Sequence, residues 1–224
     1  MEVLKAILFF ILRTLIRALS FFIYPRKIIH KERLPKKSKY IAVSNHLHWV
    51  DAVYVFLKGP GRRYLLAKKE LAEISPFLKS MEKAAGIVFV DRDNPSVASI
   101  KAILGYLKRD KPILVFPEGT RNRESRELLE TKSGAAVFAV KSSAPVIPML
   151  IYERARAFRR NYLYVGEPFE LSEFYGKKLT EELLNEANAL VRAHMLLEME
   201  KMDDYVMNKR WKKKNRIITA DGSA

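Results

Sequence analysis

The sequence predicts an α/β fold: a single domain with a mostly parallel or mixed central sheet flanked by helices, plus an N-terminal membrane-associating helix. The chain of 224 residues has the length of one domain, and 49% apolar content is enough to fill its core. Short apolar runs alternate with segments of helical periodicity, as in sheets whose strands are joined by helices. No repeat or low-complexity linker interrupts this alternation, so we do not divide the body of the chain.

Six short apolar runs are the candidate strands, and four segments of helical periodicity are the candidate helices. The strands are predicted at residues 40–44, 63–67, 86–90, 112–116, 145–152 and 162–166. The helices are predicted at residues 49–58, 76–84, 95–109 and 133–142. Residues 179–214 carry apolar side chains at helical spacing, which predicts one further long amphipathic helix.

Residues 1–24 form the predicted membrane-associating helix. Lys5, Arg13 and Arg17 interrupt its apolar character, and its uncharged runs, such as Ala6–Leu12, are far shorter than the ~20 residues of a membrane-spanning helix. No small-residue cleavage site follows, which makes a signal peptide a poor fit. We expect a helix partly sunk in one leaflet, with its cations reaching the phosphates. The alternative is a helix buried against the domain.

The formal charge of +16 lies mainly at the two ends of the chain. Residues 1–40 contribute +8 and residues 209–216 contribute +6, whereas residues 41–208 contribute only +3. We therefore expect residues 25–208 to form the α/β domain and residues 209–224 to form a basic tail. Six cations around Trp211 suit an anionic membrane surface at roughly 1 kcal/mol each. A solvated tail is the alternative, and no recognised motif supports nucleic-acid binding.

Polar residues follow three of the predicted strands, where α/β sheets place their sites. They are Asn45, His46 and Asp51 after the first strand, Asp91 and Arg92 after the third, and Pro117, Glu118, Gly119, Thr120 and Arg121 after the fourth. The chain has no cysteine, which excludes thiol nucleophiles, disulfides and thiolate metal sites. These strand ends are therefore the candidate site, with histidine, carboxylates, hydroxyls and lysine as its chemistry.

His46, His48 and Asp51 fit either a metal site or a proton-transfer site. A dinuclear metal site needs further histidines, and the chain offers only His30 and His194, which leaves a thin ligand set. Within one helix, a separation of five residues would set two side chains roughly 140° apart. A loop after the strand would let Asp51 hold Nδ1 of His46 and leave Nε2 to take a proton.

Four sequence blocks occur in the order seen in the glycerophospholipid acyltransferases. They are Asn45-His46 with Asp51, "GIVFVDR" at 86–92, "FPEGTR" at 116–121 and "PVIP" at 145–148. The chain resembles this family over residues 40 to about 168, and within it the 1-acyl-sn-glycerol-3-phosphate acyltransferases. The resemblance implies transfer of a fatty acyl group from a thioester to the sn-2 hydroxyl of lysophosphatidate, which gives phosphatidate.

The resemblance also implies roles for particular residues. His46 would be the general base and Asp51 would orient it, with direct attack on the thioester and no acyl-enzyme. Arg92 and Arg121 would bind the acceptor phosphate, since a guanidinium fork suits phosphate oxygens. Lys68 matches a family position and would assist in the same pocket.

The remaining motif residues have supporting roles by the same resemblance. Glu118 would organise its loop, and the Gly119 amide would face the developing oxyanion. Lys132 and Gly134 would form a helix entry with a phosphate contact. Asn45 and Thr120 are further candidates beside the motif residues. His48 is a departure, because the family usually has a small hydroxyl residue there; it would be an alternative base, a phosphate contact or a surface ring.

The expected partners are a lysophospholipid, acyl-CoA or acyl carrier protein as the acyl donor, and an anionic membrane surface. No cofactor, metal or nucleic acid is expected, and the expected location is the cytoplasmic face of the cell membrane, peripheral or monotopic. Glycerol 3-phosphate or another lysolipid remains an alternative acceptor. Two other classes stay open: a metal- or serine-dependent lipid hydrolase or thioesterase, for which Ser44 lacks a G-x-S-x-G elbow, and a non-enzymatic membrane-binding protein.

Overall fold

A seven-stranded sheet organises the described part of the computed structural model, which comprises residues 2–52, 55, 64–75, 79, 86–91 and 95–220. The strands are β1 (Arg26–Ile29), β2 (Ile41–Val43), β3 (Tyr64–Lys68), β4 (Ile87–Val90), β5 (Ile113–Val115), β6 (Val146–Ile151) and β7 (Asn161–Val165). Their order in space is β1-β7-β6-β2-β5-β3-β4. Neighbouring strands are parallel except β6 and β7, which are antiparallel, so the sheet is mixed.

Helices surround this sheet. They are α1 (Glu2–Ile23), α2 (Glu70–Ile74), α3 (Val97–Lys108), α4 (Gly134–Ser142) and α5 (Glu181–Ala220), with short 3₁₀ turns at Lys31–Arg33 and Ser172–Phe174. Ser96 begins α3 by accepting a hydrogen bond from the amide of Ser99 (3.2 Å), which satisfies a donor that has no partner within the helix. These helices and the sheet confirm the predicted α/β class.

The predicted strands agree with β2 to β7 to within one residue at each end. The helix predicted at 95–109 is α3, and the helix predicted at 133–142 is α4. Of the helix predicted at 49–58, residues 51, 52 and 55 are described and helical. The helix predicted at 76–84 lies almost entirely outside the described residues, and β1 was not among the predicted strands.

The central strands are buried on both faces, as expected for parallel strands covered by helices. Ile41 and Val43 of β2 pack with the residues of α3, α4 and α5, whereas the intervening Ala42 packs on the opposite face with Leu47 and Val50. Burying one side chain of the size of Ile41 contributes about 1.5–3 kcal/mol. The two apolar clusters thus cover the two faces of the sheet.

The carboxyl ends of β2 to β6 meet at one edge of the sheet, because these strands are mutually parallel. The amino end of β1 lies at the same edge, since β1 is parallel to β7 and β7 is antiparallel to β6. A hydrogen bond from the amide of Phe158, in the loop after β6, to the carbonyl of Ile23 ties the end of α1 to this edge. The N-terminal helix and the candidate site therefore share one edge.

The described side chains of α1 are mostly exposed. Leu4, Phe10 and Phe22 are each about 70% exposed, at 69%, 69% and 71%. The described side chains of α1 thus give no support to the alternative of a helix buried against the domain. None of the helices in the described ranges combines the length and apolar character needed to cross a membrane.

The C-terminal helix α5 is continuous from Glu181 to Ala220, as the amphipathic pattern predicts. The expected boundary between residues 208 and 209 thus falls inside this helix. Val191, Met195 and Val206 are fully buried on its inner face. His194 stacks on Phe169 with ring centroids 3.9 Å apart, so this histidine packs against the domain.

Helix α5 also holds the loop that follows the "FPEGTR" block. Arg192 donates to the carbonyls of Leu129 (2.6 Å) and Leu128 (3.1 Å), and Asn188 donates to the carbonyl of Thr131 (2.7 Å). Bonds from a charged donor are among the stronger hydrogen bonds in proteins. They position the backbone on which the candidate site depends.

Candidate active site

A loop between β2 and the next helical turn brings His46 and Asp51 together. Nδ1 of His46 lies 3.2 Å from Oδ2 of Asp51. The same carboxylate oxygen accepts hydrogen bonds from the amides of Leu47 (2.6 Å) and His48 (2.5 Å). The Asp51 side chain is fully buried and that of His46 is 15% exposed. With its hydrogen on Nδ1, the imidazole donates to Asp51 and keeps Nε2 free to accept a proton.

The His46 ring is also held by packing. It stacks on Phe116 with ring centroids 4.2 Å apart and an interplanar angle of 23°. The His46 carbonyl accepts a hydrogen bond from the amide of Asn122 (2.7 Å). Ring and backbone are therefore both restrained, as an oriented base requires.

Glu118 ties the His46 loop to the loop held by α5. Its Oε1 accepts from the amide of His46 (2.7 Å), and its Oε2 accepts from the amide of Leu129 (3.2 Å). Burial raises the pKa of Glu118, and these two hydrogen bonds oppose the rise by favouring the carboxylate. The structure confirms the expected loop-organising contacts of Glu118.

Gly119 closes a tight turn. Its φ of +67° favours glycine, and its amide donates to the carbonyl of Phe116 (3.0 Å). The expectation that this amide faces an oxyanion is therefore wrong, because the donor already serves the turn. A Cβ at position 119 would lie 3.2 Å from Cε of Lys132, whose own amide donates to the carbonyl of Pro117 (2.8 Å). Helix α4 begins at Gly134, as expected of a helix entry.

Asn45 bridges two strand ends. Its Nδ2 donates to the carbonyl of Ile151 (3.0 Å), and its Oδ1 accepts from the amide of the same residue (2.8 Å). Asn45 is 1% exposed, and its two hydrogen bonds hold the ends of β2 and β6 together. We call this pair of hydrogen bonds the clamp. The contact also places the loop after β6 next to His46.

The ring of His48 is half-buried and lies within electrostatic range of other charged side chains. Burial lowers the pKa of His48, and the nearby guanidiniums of Arg154 and Arg121 lower it further, whereas Asp51 acts in the opposite direction. Arg121 and its neighbour Thr120 are exposed. Arg154 was not a predicted site residue, although its place just after β6 is the same strand-end signal that selected the others.

Of the other predicted cations, one is described by the structure and one is not. Lys68, at the end of β3, is half-exposed and pairs with Glu70 (2.8 Å). Arg92 lies outside the described residues, so its expected phosphate contact remains a prediction.

Sequence reasoning also missed Asn122. Its buried side chain accepts hydrogen bonds from the amides of Glu124 and Ser125 (both 3.1 Å) and shapes the loop that follows the "FPEGTR" block.

The alternative chemistries find less support in the geometry. Within the described ranges, no three His, Asp or Glu side chains are grouped so that they could hold a metal ion. His30 instead pairs with Glu32 (3.2 Å) and follows β1 at the edge of the sheet opposite to His46. Ser44 is fully buried, and its hydroxyl donates to the carbonyl of Asn45 (3.1 Å). A serine nucleophile at this position would have to break that contact.

A cavity of about 520 Å³ lies beside Phe116, at the carboxyl end of β5. Its lining is mainly apolar and includes Leu66, Val90, Ile100, Val115, Phe116, Val137 and Phe138, with Asp91, Lys132 and Ser133 as polar members. Phe116 joins the cavity to the loop of the candidate base, because this residue also stacks on His46. The volume and apolar lining are typical of a small-molecule site.

Residues 25–152 match the sequence profile of the Acyltransferase family, and the chain belongs to this family. The protein is thus an acyltransferase with a histidine–aspartate pair at its sheet edge.

Three bacterial relatives, each named 1-acyl-sn-glycerol-3-phosphate acyltransferase, illustrate the similarity. That of Bacillus subtilis is 31% identical over 174 residues, which are 73% of this chain and 83% of the relative. That of Salmonella typhimurium is 30% identical over 171 residues, or 72% and 68% of the two chains. That of Helicobacter pylori is 32% identical over 120 residues, or 53% and 50%, so the match spans about half of that relative.

The fold resembles the crystal structure of the 1-acyl-sn-glycerophosphate (LPA) acyltransferase from Thermotoga maritima. The TM-score is 0.58 at 23% sequence identity, and the match covers 80% of this chain and 74% of the other. At this identity the likeness supports the fold rather than the details of the site.

Proposed function

We propose that this protein transfers a fatty acyl group from an acyl thioester to the sn-2 hydroxyl of lysophosphatidate and thereby forms phosphatidate. The names of its relatives support this acceptor. The observation that carries the proposal is the 3.2 Å contact between Nδ1 of His46 and Asp51, at the edge of the sheet and beside an apolar cavity. Acyl-CoA and acyl carrier protein are both suitable donors.

In the proposed mechanism, Nε2 of His46 takes the proton of the acceptor hydroxyl as that oxygen attacks the thioester carbonyl. Asp51 stabilises the imidazolium that forms, without itself being protonated. The tetrahedral intermediate then collapses, the carbon–sulfur bond breaks, and the thiolate takes the proton from His46. The products are the new ester and a free thiol, and a positioned base of this kind contributes typically 10²–10⁴-fold in rate.

The cavity beside Phe116 is the proposed site of the acyl chain. Its lining is mainly apolar, with Asp91, Lys132 and Ser133 as its polar members. Arg121 is the described candidate for the acceptor phosphate, and Arg92 is proposed for the same role from its motif.

The proposed location is the cytoplasmic face of the cell membrane, with residues 1–24 as the membrane-associating segment. The exposed apolar side chains of α1 support this proposal, and so does the position of α1 at the edge that carries His46. A lysolipid acceptor would then present its headgroup to the site without leaving the bilayer. Residues 25–208 and 209–224 are proposed as the catalytic domain and a basic membrane-contacting tail.

The test is acyl transfer from a long-chain acyl-CoA to lysophosphatidate in mixed micelles, with and without a chelator. We expect phosphatidate from the wild type and from His48→Ala, none above background from His46→Ala, and no effect of the chelator. Ser44→Ala should remain active. Loss of activity with the chelator, or in both histidine variants alike, would contradict a single-base mechanism, and free fatty acid as the main product would indicate a hydrolase.

A further inference from the structure

Arg154 follows the end of β6 at the same edge of the sheet as His46. The last residue of β6, Ile151, is held by both side-chain atoms of Asn45, at 3.0 and 2.8 Å. Asn45 directly precedes His46 in the chain. The two hydrogen bonds therefore fix the start of the loop after β6 beside the loop of the candidate base, and Arg154 lies three residues beyond this clamp.

The rest of this loop is held by Asn161. Its Oδ1 accepts from the amide of Arg156 (2.9 Å), and its Nδ2 donates to the carbonyls of Arg156 (3.1 Å) and Arg159 (2.7 Å). The guanidinium of Arg156 pairs with Glu153 (3.6 Å). Arg154 is exposed and, within the part of the chain that the structure describes, its guanidinium makes no hydrogen bond or ion pair.

Arg121 is in the same situation on the neighbouring loop: exposed, with no hydrogen bond or ion pair to any described residue. Both guanidiniums act electrostatically on His48, two residues from His46, and there they add to the effect of burial in lowering its pKa. Arg121 also directly precedes Asn122, whose amide donates to the carbonyl of His46 (2.7 Å), so the loops that carry the two arginines are both hydrogen-bonded to the loop of the candidate base. Two guanidiniums on loops that adjoin the candidate base form a set of donors suited to a phosphate.

We propose that Arg154, together with Arg121, binds the phosphate of the acyl acceptor, and that Arg154 is a determinant of acceptor specificity. The inference rests on the proposed function, in which the acceptor phosphate lies one carbon away from the hydroxyl that His46 deprotonates. A phosphate dianion is held best by more than one cation, and each guanidinium offers two parallel donors. Arg154 thereby favours lysophosphatidate over lysolipids whose phosphate carries a second ester.

Steady-state kinetics in neutral detergent micelles test this role with Arg154→Ala, Arg154→Lys and the control Arg159→Ala. Arg154→Ala should raise KM for lysophosphatidate by about 10- to 100-fold, the usual effect of losing a charged hydrogen-bonding partner. Its KM for acyl-CoA and its kcat should not change. The KM of Arg154→Lys for lysophosphatidate should lie between those of the wild type and Arg154→Ala, because lysine keeps the charge but lacks the two parallel donors of a guanidinium. Arg159→Ala, an exposed arginine of the same loop, should match the wild type.

An unchanged KM for lysophosphatidate in Arg154→Ala would overturn the inference, as would an equal rise in KM for acyl-CoA. If the wild type forms no phosphatidate, the proposed function fails, and calorimetric titration with glycerol 3-phosphate then decides on Arg154 alone. Binding that is about tenfold weaker in Arg154→Ala would support the phosphate site. Equal or absent binding in the two proteins would overturn it.

Discussion

The candidate base and the two arginines lie at one edge of the sheet, yet the protein holds them in opposite ways. Asp51 is fully buried and accepts three hydrogen bonds, and His46 stacks on Phe116. Arg121 and Arg154 are exposed and have no hydrogen-bond or ion-pair partner within the described ranges. The first pair is restrained by the protein alone, whereas the second leaves its donors open to a ligand.

This difference matches what each group has to do. A base must point at its substrate before the reaction begins, because reorientation during the reaction raises the barrier. A phosphate brings its own charge, and a guanidinium already paired with a carboxylate would have to give up that pair first. We therefore expect changes in the buried pair to act on kcat and changes in the exposed pair to act on KM for the acceptor.

The largest effect should come from Asp51→Asn. An amide at this position cannot stabilise the imidazolium and can hold His46 in the wrong tautomer, so kcat should fall by about 10³–10⁴-fold while KM for both substrates changes little. Steady-state kinetics measure this effect, and circular dichroism checks that the variant is folded. A folded Asp51→Asn enzyme with wild-type kcat would remove the pair from the mechanism.

The second-largest effect should come from Glu118, which joins the loop of the buried His46–Asp51 pair to the loop held by α5. Glu118→Ala leaves the amides of His46 and Leu129 without an acceptor, and we expect the free energy of unfolding to fall by about 2–4 kcal/mol. Glu118→Gln keeps one acceptor oxygen and should lose less. Urea unfolding of both variants measures this order, and equal stability of Glu118→Ala and wild type would show that the two bonds contribute nothing.

Among changes in the two exposed arginines, Arg121→Ala should raise KM for lysophosphatidate about tenfold and leave kcat unchanged. The double variant with Arg154→Ala sharpens the comparison. Because both residues would share one ligand, their effects on KM should not add, and the coupling is read from a double-mutant cycle. Strict additivity would indicate that the two arginines act at separate places.

The smallest effect should be the pH dependence of stability contributed by His48. Its pKa is lowered in the folded state, so the folded protein binds fewer protons here than the unfolded chain. The stability associated with the neutral ring is complete above the ordinary pKa of 6.5 and is lost as the pH falls through the lowered value. Thermal unfolding from about pH 7.5 to about pH 5 should therefore show a smaller acid-side loss for His48→Gln than for the wild type. Parallel profiles would contradict this.

Local patterns were sufficient for most of the fold. Strands β2 to β7 are apolar runs between polar or turn residues, and α3 and α4 show helical periodicity, so each was predicted without knowledge of its neighbours. Strand β1 (Arg26–Ile29) was missed because four residues, two of them charged, give too short an apolar signal. Its place in the sheet comes from parallel pairing with β7, which is distant in sequence.

The site was predicted in part for the same reason. His46, Asp51 and Glu118 follow strand ends and belong to recognisable blocks, and the structure brings them together. The role of the Gly119 amide was predicted wrongly because the hydrogen bond that closes its turn cannot be read from the residue types. Arg154 was missed although it follows a strand end, because its closeness to the His46 loop depends on hydrogen bonds between Asn45 and Ile151, which are 106 residues apart.

The sequence by itself determined the succession of strands and helices, the exclusion of thiol chemistry, and which residues carry the histidine–aspartate pair. Tertiary structure decided that Glu118 joins two loops, that the loops of Arg154 and Arg121 both adjoin the loop of His46, and that the described apolar side chains of α1 are mostly exposed. Periodicity is a property of neighbouring residues and is read from the chain directly. Hydrogen-bond partners and electrostatic neighbours depend on which distant segments the packed sheet brings together, and only the folded chain specifies them.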